Sequence, residues 1–119
     1  MYQFTFEKLE VWQKSRALAN EIYSITHNFP EEEKFGLTRQ IRRAMVSVCS
    51  NIAEGSARSS LKDQKHFYEM SFSSLMEVMN QLIISLDLGY LNRESLSELR
   101  KKIEMIAYML TKLRDSRVS

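Results

Sequence analysis

The sequence predicts an all-α protein, an antiparallel up-down-up-down four-helix bundle, on three observations. Four long segments repeat their apolar residues at steps of three and four, which is the spacing of a helix face. No segment alternates apolar and polar residues over the length of a strand. Only three glycines and one proline interrupt the 119 residues, so connections are short and consecutive helices are expected to be antiparallel neighbours. We expect residues 1–119 to form one domain.

The first helix is predicted from about Thr5 to His27. It should end before Pro30, because proline disfavours the helical conformation in the residue that precedes it. A charged connector over residues 31–36 follows. The predicted apolar face of this helix consists of Leu9, Trp12, Leu18, Ala19, Ile22, Ile25 and Thr26.

The second helix, predicted from Leu37 to Arg58, carries two stripes. The apolar stripe consists of Leu37, Ile41, Ala44, Met45, Val48, Ile52 and Gly55. The other, which we call the polar seam, consists of Gln40, Arg43, Ser47, Asn51, Glu54 and Arg58. Short hydrogen-bonding side chains at this spacing indicate a packed contact between helices or between subunits. We interpret Gly55 as a close-approach point inside the helix rather than its cap, because Glu54 and Arg58 would form an i,i+4 pair across it.

The third helix is predicted to begin after Ser60 and to run to Leu88, with Ser60 and Asp63 resembling a capping box and Gly89 following as the C′ residue. Asn92 is a suitable N-cap for the fourth helix. The core of the third helix is predicted at Tyr68, Ser71, Phe72, Leu75, Val78, Met79, Leu82 and Leu86. The fourth helix has a heptad pattern at Leu96, Leu99, Ile103, Ile106, Leu110 and Leu113.

Many apolar residues are left outside these stripes. They are Val46, Ala53 and Ala57 in the second helix, Met76, Ile83 and Ile84 in the third, and Met105, Tyr108 and Met109 in the fourth. Contiguous exposed apolar residues usually mark an interface, so we expect a homo-oligomer. The alternative is a bundle that is merely rich in apolar residues, with methionines filling irregular gaps.

No pattern of catalytic, metal-binding or cofactor-binding residues is found. His27 and His66 lie on different predicted helices without nearby ligands, and the glycines are isolated, so no metal, cofactor or enzymatic activity is expected. Cys49 has no base at sequence spacing and is interpreted as a small buried apolar residue. Glu54 is more simply an ion-pair partner than an acid catalyst. Ser47 and Asn51 favour a hydrogen-bond network over a ligand site.

The net charge of +2 is unevenly distributed. The segment Leu37–Arg58 holds four arginines against Glu54, and Arg93–Arg117 holds seven basic residues against four acidic ones, whereas the third helix is net acidic. Basic helices in an oligomer would attract phosphates. The candidate phosphate contacts are Arg39, Arg42, Arg43, Arg58, Lys101 and Lys102. Some of these are expected to serve the polar seam instead, Arg43 and Arg58 first among them. The alternative is an ordinary solvated surface, with basic residues near helix C-termini.

No apolar run approaches the roughly 20 residues that span a bilayer, and the first residues lack a signal-peptide pattern. Cys49 is the one cysteine, so no disulfide can form within the chain. We therefore expect a cytoplasmic protein without a membrane partner.

The chain also resembles a known family over nearly its whole length. The matching residues are Phe6, Leu9, Val11–Gln13, Tyr23, Phe29–Pro30, Glu33, Phe35–Thr38, Gln40–Ala44, Ser47–Val48, Ser50–Gly55, Arg58, Leu86 and Leu88–Tyr90. Together they resemble the small "four helix bundle protein" family. Its founding members are encoded in intervening sequences of bacterial large-subunit ribosomal RNA genes, and it has sometimes been labelled a ribosomal protein.

This resemblance implies a cytoplasmic, non-enzymatic homopentamer whose function is not established for most members. The family is related to the accessory protein of diversity-generating retroelements, a basic pentameric barrel that associates with nucleic acid and a reverse transcriptase. A ribonucleoprotein or reverse-transcriptase-type partner is therefore also implied. Two positions depart from the family pattern: Cys49 replaces a common proline, and Ser73 replaces a common glycine at a point of close helix approach. We expect an uninterrupted helix at Cys49 and altered helix spacing or subunit contact at Ser73.

Two functional hypotheses follow. In the first, the protein is a non-catalytic oligomer that binds RNA or DNA through its basic surfaces. In the second, it is an oligomeric scaffold or protein-interaction module without affinity for nucleic acid. If the polar seam lies between chains, Asn51→Leu should disturb assembly more than Ser85→Leu.

Overall fold

Four helices make up most of the computed structural model, which describes residues 1–118. They are α1 (Glu10–Thr26), α2 (Leu37–Ser56), α3 (Leu61–Asp87) and α4 (Arg93–Asp115), and no strand occurs among the described residues. In residues 1–118, α1 contacts α2, α2 contacts α3, α3 contacts α4 and α4 closes on α1, while the diagonal pairs have no close backbone contact. The predicted all-α four-helix bundle is confirmed.

The first helix begins later than predicted. Residues Thr5–Lys8 form a short 3-10 turn, and Leu9 is extended before α1 starts at Glu10. The turn is stabilised by the Glu7 carboxylate, which accepts a hydrogen bond from the Phe4 amide at 2.7 Å. It brings the Phe6 ring edge-on to Trp12, with 4.9 Å between the ring centroids. A 3-10 turn, followed by the contact between Phe6 and Trp12, therefore stands where the periodicity predicts the first turn of the helix.

The predicted helix ends of α3 and α4 agree with the structure. Ser60 Oγ accepts from the Asp63 amide at 3.1 Å, and Asn92 Oδ1 accepts from the Ser95 amide at 2.8 Å. Gly89 has a φ of 80°, a left-handed conformation that glycine adopts without steric cost. The Tyr90 and Gly89 amides donate to the carbonyls of Ser85 and Leu86 at 2.9 and 3.0 Å, which is the Schellman arrangement.

The core matches the predicted stripes of α2 and α4 closely. In α2 the predicted stripe is buried from Ile41 to Gly55, and in α4 five of the six heptad residues are buried. The core also contains residues that the sequence pattern missed. These are Val11 and Ser15 in α1, Thr38 in α2, and Gln81 and Ser85 in α3. Ser15 and Ser85 are tolerated because each hydroxyl donates to the carbonyl four residues earlier, at 2.7 Å.

Small residues allow α2 and α3 to pack closely. A Cβ added at Gly55 would lie 2.8 Å from Tyr68 Cε1 and 2.9 Å from Phe67 Cβ, so the glycine is a close-approach point inside α2, as predicted. Next to it, Ser71 Oγ donates to the Val48 carbonyl at 2.8 Å. Ser73 is exposed, so its side chain does not affect helix spacing within the protomer.

The predicted i,i+4 pair of Glu54 and Arg58 across Gly55 does not form. Arg58 follows the end of α2 and does not pair with Glu54. Its guanidinium lies 4.0 Å from the Asp63 carboxylate and 5.2 Å from the centroid of the Phe67 ring. The tight turn into α3 brings Asp63 within reach of Arg58, which the spacing within α2 alone did not reveal.

Glu33 joins the connector between α1 and α2 to the α3–α4 turn. One carboxylate oxygen accepts from the Leu37 amide at 3.1 Å, at the start of α2. The other accepts from the Tyr90 hydroxyl at 2.9 Å. Below this contact, the buried Phe29 ring packs against Tyr90 with centroids 5.4 Å apart. The connector is therefore held against the bundle.

Gly55→Ala should destabilise the fold by about 1–3 kcal/mol, because the new methyl group meets Phe67 Cβ, which cannot move without its helix. The free energy of unfolding in urea measures this. Ser50→Ala, at an exposed position of the same helix, should change it by less than about 0.5 kcal/mol. A gain near 1 kcal/mol for Gly55→Ala, the intrinsic helix preference of alanine, would contradict the close packing.

Candidate nucleic-acid interface

The six predicted phosphate contacts lie in three different places. Arg39, Arg42 and Arg43 are near the start of α2. Arg58 follows the opposite end of that helix, more than about 20 Å along the axis. Lys101 and Lys102 lie on α4, beside a different groove. The structure therefore brings together three of the six.

The first group surrounds an open depression of about 340 Å³, which we call the basic end. It lies where α1 ends and α2 begins. Its lining residues are Tyr23, Lys34, Phe35, Thr38, Arg39, Arg42 and Arg43. Sequence reasoning missed Lys34, Phe35 and Tyr23 as members. The sequence does contain a signal for them, because basic and aromatic residues are interleaved from the connector into α2. The helical periodicity of a single segment does not reveal it.

The Arg42 guanidinium makes contacts within the protomer. Its Nε donates to Thr26 Oγ1 at 2.9 Å, its Nη2 donates to the Tyr23 carbonyl at 3.2 Å, and its guanidinium carbon lies 4.6 Å from the centroid of the Tyr23 ring. A cation at the end of α1 also suits the negative end of the helix dipole. Arg42 thus ties α2 to α1, and this leaves Arg39 and Arg43 as the freer cations.

Arg39 and Arg43 are both exposed. Among residues 1–118, neither lies within 4.0 Å of a carboxylate oxygen. Lys34 is less available, since its ammonium lies 3.9 Å from the Glu31 carboxylate, although both side chains are largely exposed and such pairs are weak. The basic end therefore presents two unpaired guanidinium groups and one loosely paired ammonium group.

The acidic connector limits the positive field of the basic end. Glu31 and Glu32 are exposed there, whereas Glu33 faces the Leu37 amide and Tyr90. A phosphate chain is consequently attracted on the α2 side of the depression, around Arg39 and Arg43. Few phosphates can be contacted at once, so electrostatic attraction from one protomer is modest.

Lys101 and Lys102 border a groove of about 300 Å³ between α1 and α4. Lys102 pairs with Glu21 across this groove, and the Lys101 ammonium lies 3.8 Å from the Glu98 carboxylate. Lys14 also lines the groove. Because α1 separates this groove from the basic end, these lysines do not extend the same surface.

The polar seam is half-buried at its centre and exposed at its ends. Ser47 Oγ lies 2.9 Å from Ser74 Oγ on α3, and Asn51 Nδ2 donates to Ser47 Oγ at 3.0 Å and to the Ser47 carbonyl at 2.9 Å. Gln40 Oε1 accepts from Gln81 Nε2 at 3.4 Å. Arg43, Glu54 and Arg58 remain exposed.

The centre of the seam is therefore a contact between helices within the protomer. It lines an open depression of about 430 Å³ between α2 and α3, together with His66 and Glu69. Among the described residues, the Oε1 of Gln81 is buried without a hydrogen-bond partner, although this side chain borders the seam.

Metal ligands do not converge anywhere in residues 1–118: no group of three or more His, Cys, Asp or Glu side chains is arranged to hold a metal ion. Cys49 is half-buried and packs against the core. Burial raises the pKa of its thiol from an ordinary value of 9.0 to about 11. In the described part of the chain, no helix is both long and apolar enough to span a membrane.

The model of the 23S rRNA-intervening sequence protein family matches residues 7–112. The chain belongs to this family. A similar fold occurs in the 1.70 Å crystal structure of a protein of unknown function from the S23 ribosomal protein family of Bacteroides thetaiotaomicron. The TM-score is 0.78 at 23% sequence identity, and the match covers 87% of this chain and 97% of that one. No curated protein matches the chain in sequence.

The family resemblance inferred from the sequence is thereby confirmed. The similar protein is itself of unknown function, and at 23% identity the likeness extends to the fold alone. What the basic end of this family member can bind consequently follows from its own residues. Their chemistry, exposed guanidinium groups beside an exposed aromatic ring, suits phosphate and base contacts.

Cys49 should react slowly with a thiol reagent in the folded protein at neutral pH, because burial keeps its thiol protonated. The folded state holds this proton to higher pH than the unfolded chain. The resulting stability is present below pH 9.0 and is lost as the pH rises towards about 11. Reaction rates with a disulfide reagent across this pH range, in native buffer and in urea, give the pKa of the thiol in the folded and in the unfolded protein. Rapid native labelling at neutral pH would contradict it.

Proposed function

We propose that the protein is a non-catalytic, homo-oligomeric four-helix bundle that binds RNA or DNA through the basic end. The observation that carries this proposal is the pair of exposed guanidinium groups of Arg39 and Arg43, which have no carboxylate partner among residues 1–118. Unpaired arginines bind phosphate by releasing condensed counterions from nucleic acid. The family name, which refers to sequences within 23S rRNA, supports an RNA-related setting.

Oligomerisation would compensate for the small number of phosphate contacts in one protomer. Exposed apolar residues on α3 support it: Met76, Ile83 and Ile84 are 40%, 39% and 40% exposed. Met105 and Tyr108 add exposed apolar surface on α4. A ring of subunits would repeat the basic end and increase its attraction for a polyanion. The proposed subunit number is five, which rests on the family resemblance, and the proposed location is the cytoplasm, which the single cysteine supports.

The second candidate is an oligomeric scaffold that binds a protein and has no affinity for nucleic acid. Two observations favour it: the acidic connector beside the basic end, and the exposed apolar side chains of α3 and α4, among them Met76, Ile83 and Met105. A partner protein would cover these side chains and remove their apolar surface from water. In this case the proposed partner is a protein that contacts the apolar surface of α3 or α4, whereas a ribonucleoprotein or reverse-transcriptase-type partner belongs to the nucleic-acid proposal.

The nucleic-acid proposal predicts that Arg39→Ala and Arg43→Ala each weaken binding of a fluorescently labelled RNA oligonucleotide. Each substitution should also lower the slope of log affinity against log salt by about 0.7, because each removes one phosphate contact. Fluorescence anisotropy over a series of salt concentrations measures both quantities. Arg100→Ala, at an exposed position of α4, should leave them unchanged. Undetectable binding of RNA and DNA by the unsubstituted protein at low salt would exclude this proposal and favour the scaffold.

If a second chain covers the open depression lined by Ser47 and Asn51, Asn51→Leu should lower the mass measured by light scattering, because leucine removes the polar group that this surface presents to the second chain. Ser85 proved to be an unsuitable comparison, since it is fully buried and Ser85→Leu would disrupt the core. Asn20→Leu makes the same chemical change at an exposed position of α1 and should leave the mass unchanged. An unchanged mass for Asn51→Leu would show that chains do not meet at the seam.

A further inference from the structure

Phe35 is the most exposed large apolar side chain between residues 5 and 117. It is 78% exposed, although it lies between the connector and the first turn of α2, both of which are held in place. The preceding Glu33 accepts hydrogen bonds from Leu37 and Tyr90, so the backbone on both sides of the phenylalanine is anchored. The ring is thus presented to solvent by an ordered segment.

We infer that the basic end binds single-stranded nucleic acid, with one base stacked on the Phe35 ring and the adjoining phosphates contacted by Arg39 and Arg43. This inference rests on the proposed function and names its ligand class. All of these side chains line the same depression. The Lys34 ammonium lies over one face of the Phe35 ring, 5.6 Å from its centroid, so a base would stack on the opposite face with this cation nearby.

This surface has too few free positive charges for phosphate contacts alone to give high affinity, so base stacking must contribute to binding. Two unpaired arginines and a lysine that is shared with Glu31 contact few phosphates, and the acidic connector restricts the rest. Stacking on an aromatic side chain adds affinity that does not depend on net charge and is available with any base. A weakly basic site with an exposed aromatic ring is therefore better suited to flexible strands than to a rigid helix.

A duplex cannot make the same contact, because its base faces are already stacked within the helix. Tyr23 does not replace Phe35 either: it is 43% exposed, and the Arg42 guanidinium covers its ring at 4.6 Å. Phe35 is consequently the stacking platform, while Arg42 and Tyr23 form the fixed floor beside it. The expected preference is for single strands over duplexes, with little dependence on base identity.

The test uses the unsubstituted protein and fluorescently labelled oligothymidylate, oligouridylate and a duplex of equal length. Phe35→Ala should weaken binding of both single strands at least about fivefold without altering the salt dependence, whereas Arg39→Ala should lower the salt dependence. Phe35→Trp should retain binding, and Phe35→Leu should not, because leucine preserves apolar bulk but has no ring. NMR ring-proton signals of Phe35 should shift on addition of oligothymidylate.

Tyr2→Ala is the matched control. Tyr2 is also an exposed aromatic residue, 79% accessible, but it precedes the 3-10 turn before α1, at the opposite end of that helix from the basic end. Its substitution should leave affinity unchanged. Equal binding of duplex and single strands, or an unaltered affinity of Phe35→Ala while Arg39→Ala still weakens binding, overturns this inference and leaves the proposed function intact. If the unsubstituted protein binds none of the three oligonucleotides, both this inference and the proposed function are overturned.

Discussion

The close packing of α2 against α3 is the constraint on which the rest of the bundle depends. Gly55 lies against Phe67 and Tyr68, and one turn further along, Ser71 donates a hydrogen bond to the Val48 carbonyl. Because Gly55 and Ser71 are small, the two long helices approach each other closely over most of their length. They also determine what becomes of the polar seam, whose centre faces Ser74 and whose ends extend past the contact into solvent. Any surface that α2 presents to a partner is oriented by this packing.

The basic end depends on a second set of contacts, at the other end of α2. Arg42 binds the last turn of α1, while Glu33 joins the start of α2 to Tyr90 in the α3–α4 turn. Arg42, which the sequence suggested as a phosphate contact, is thereby used to join α2 to α1, and Glu33 holds the connector. These contacts hold the backbone at Phe35, Arg39 and Arg43 in place while the three side chains remain exposed. A preorganised backbone would reduce the ordering cost of the proposed binding.

Much of the fold follows from local patterns, and the exceptions have physical reasons. The heptad of α4, the caps at Ser60 and Asn92, and the turn at Gly89 were all predictable, because each depends on residues close together in sequence. The 3-10 turn before α1 was not, because apolar spacing does not show that Leu9 is extended or that the Glu7 carboxylate accepts from the Phe4 amide. The candidate site was predicted only in part. Three arginines on one helix were identified, while the loop residues that complete the surface required the connector to fold back.

The sequence by itself determined the helical class of this protein, the approximate extent of its four helices, the apolar stripes that form its core and its family, because these depend on short-range spacing and on residue identity. The tertiary structure alone decided which charged groups act together. It assigned Arg58 to Asp63 and Lys102 to Glu21, directed Arg42 towards α1, and left Arg39 and Arg43 unpaired among the described residues. The physical reason is that ion pairs and surface clusters depend on distances through space between helices, which are established only when the helices pack.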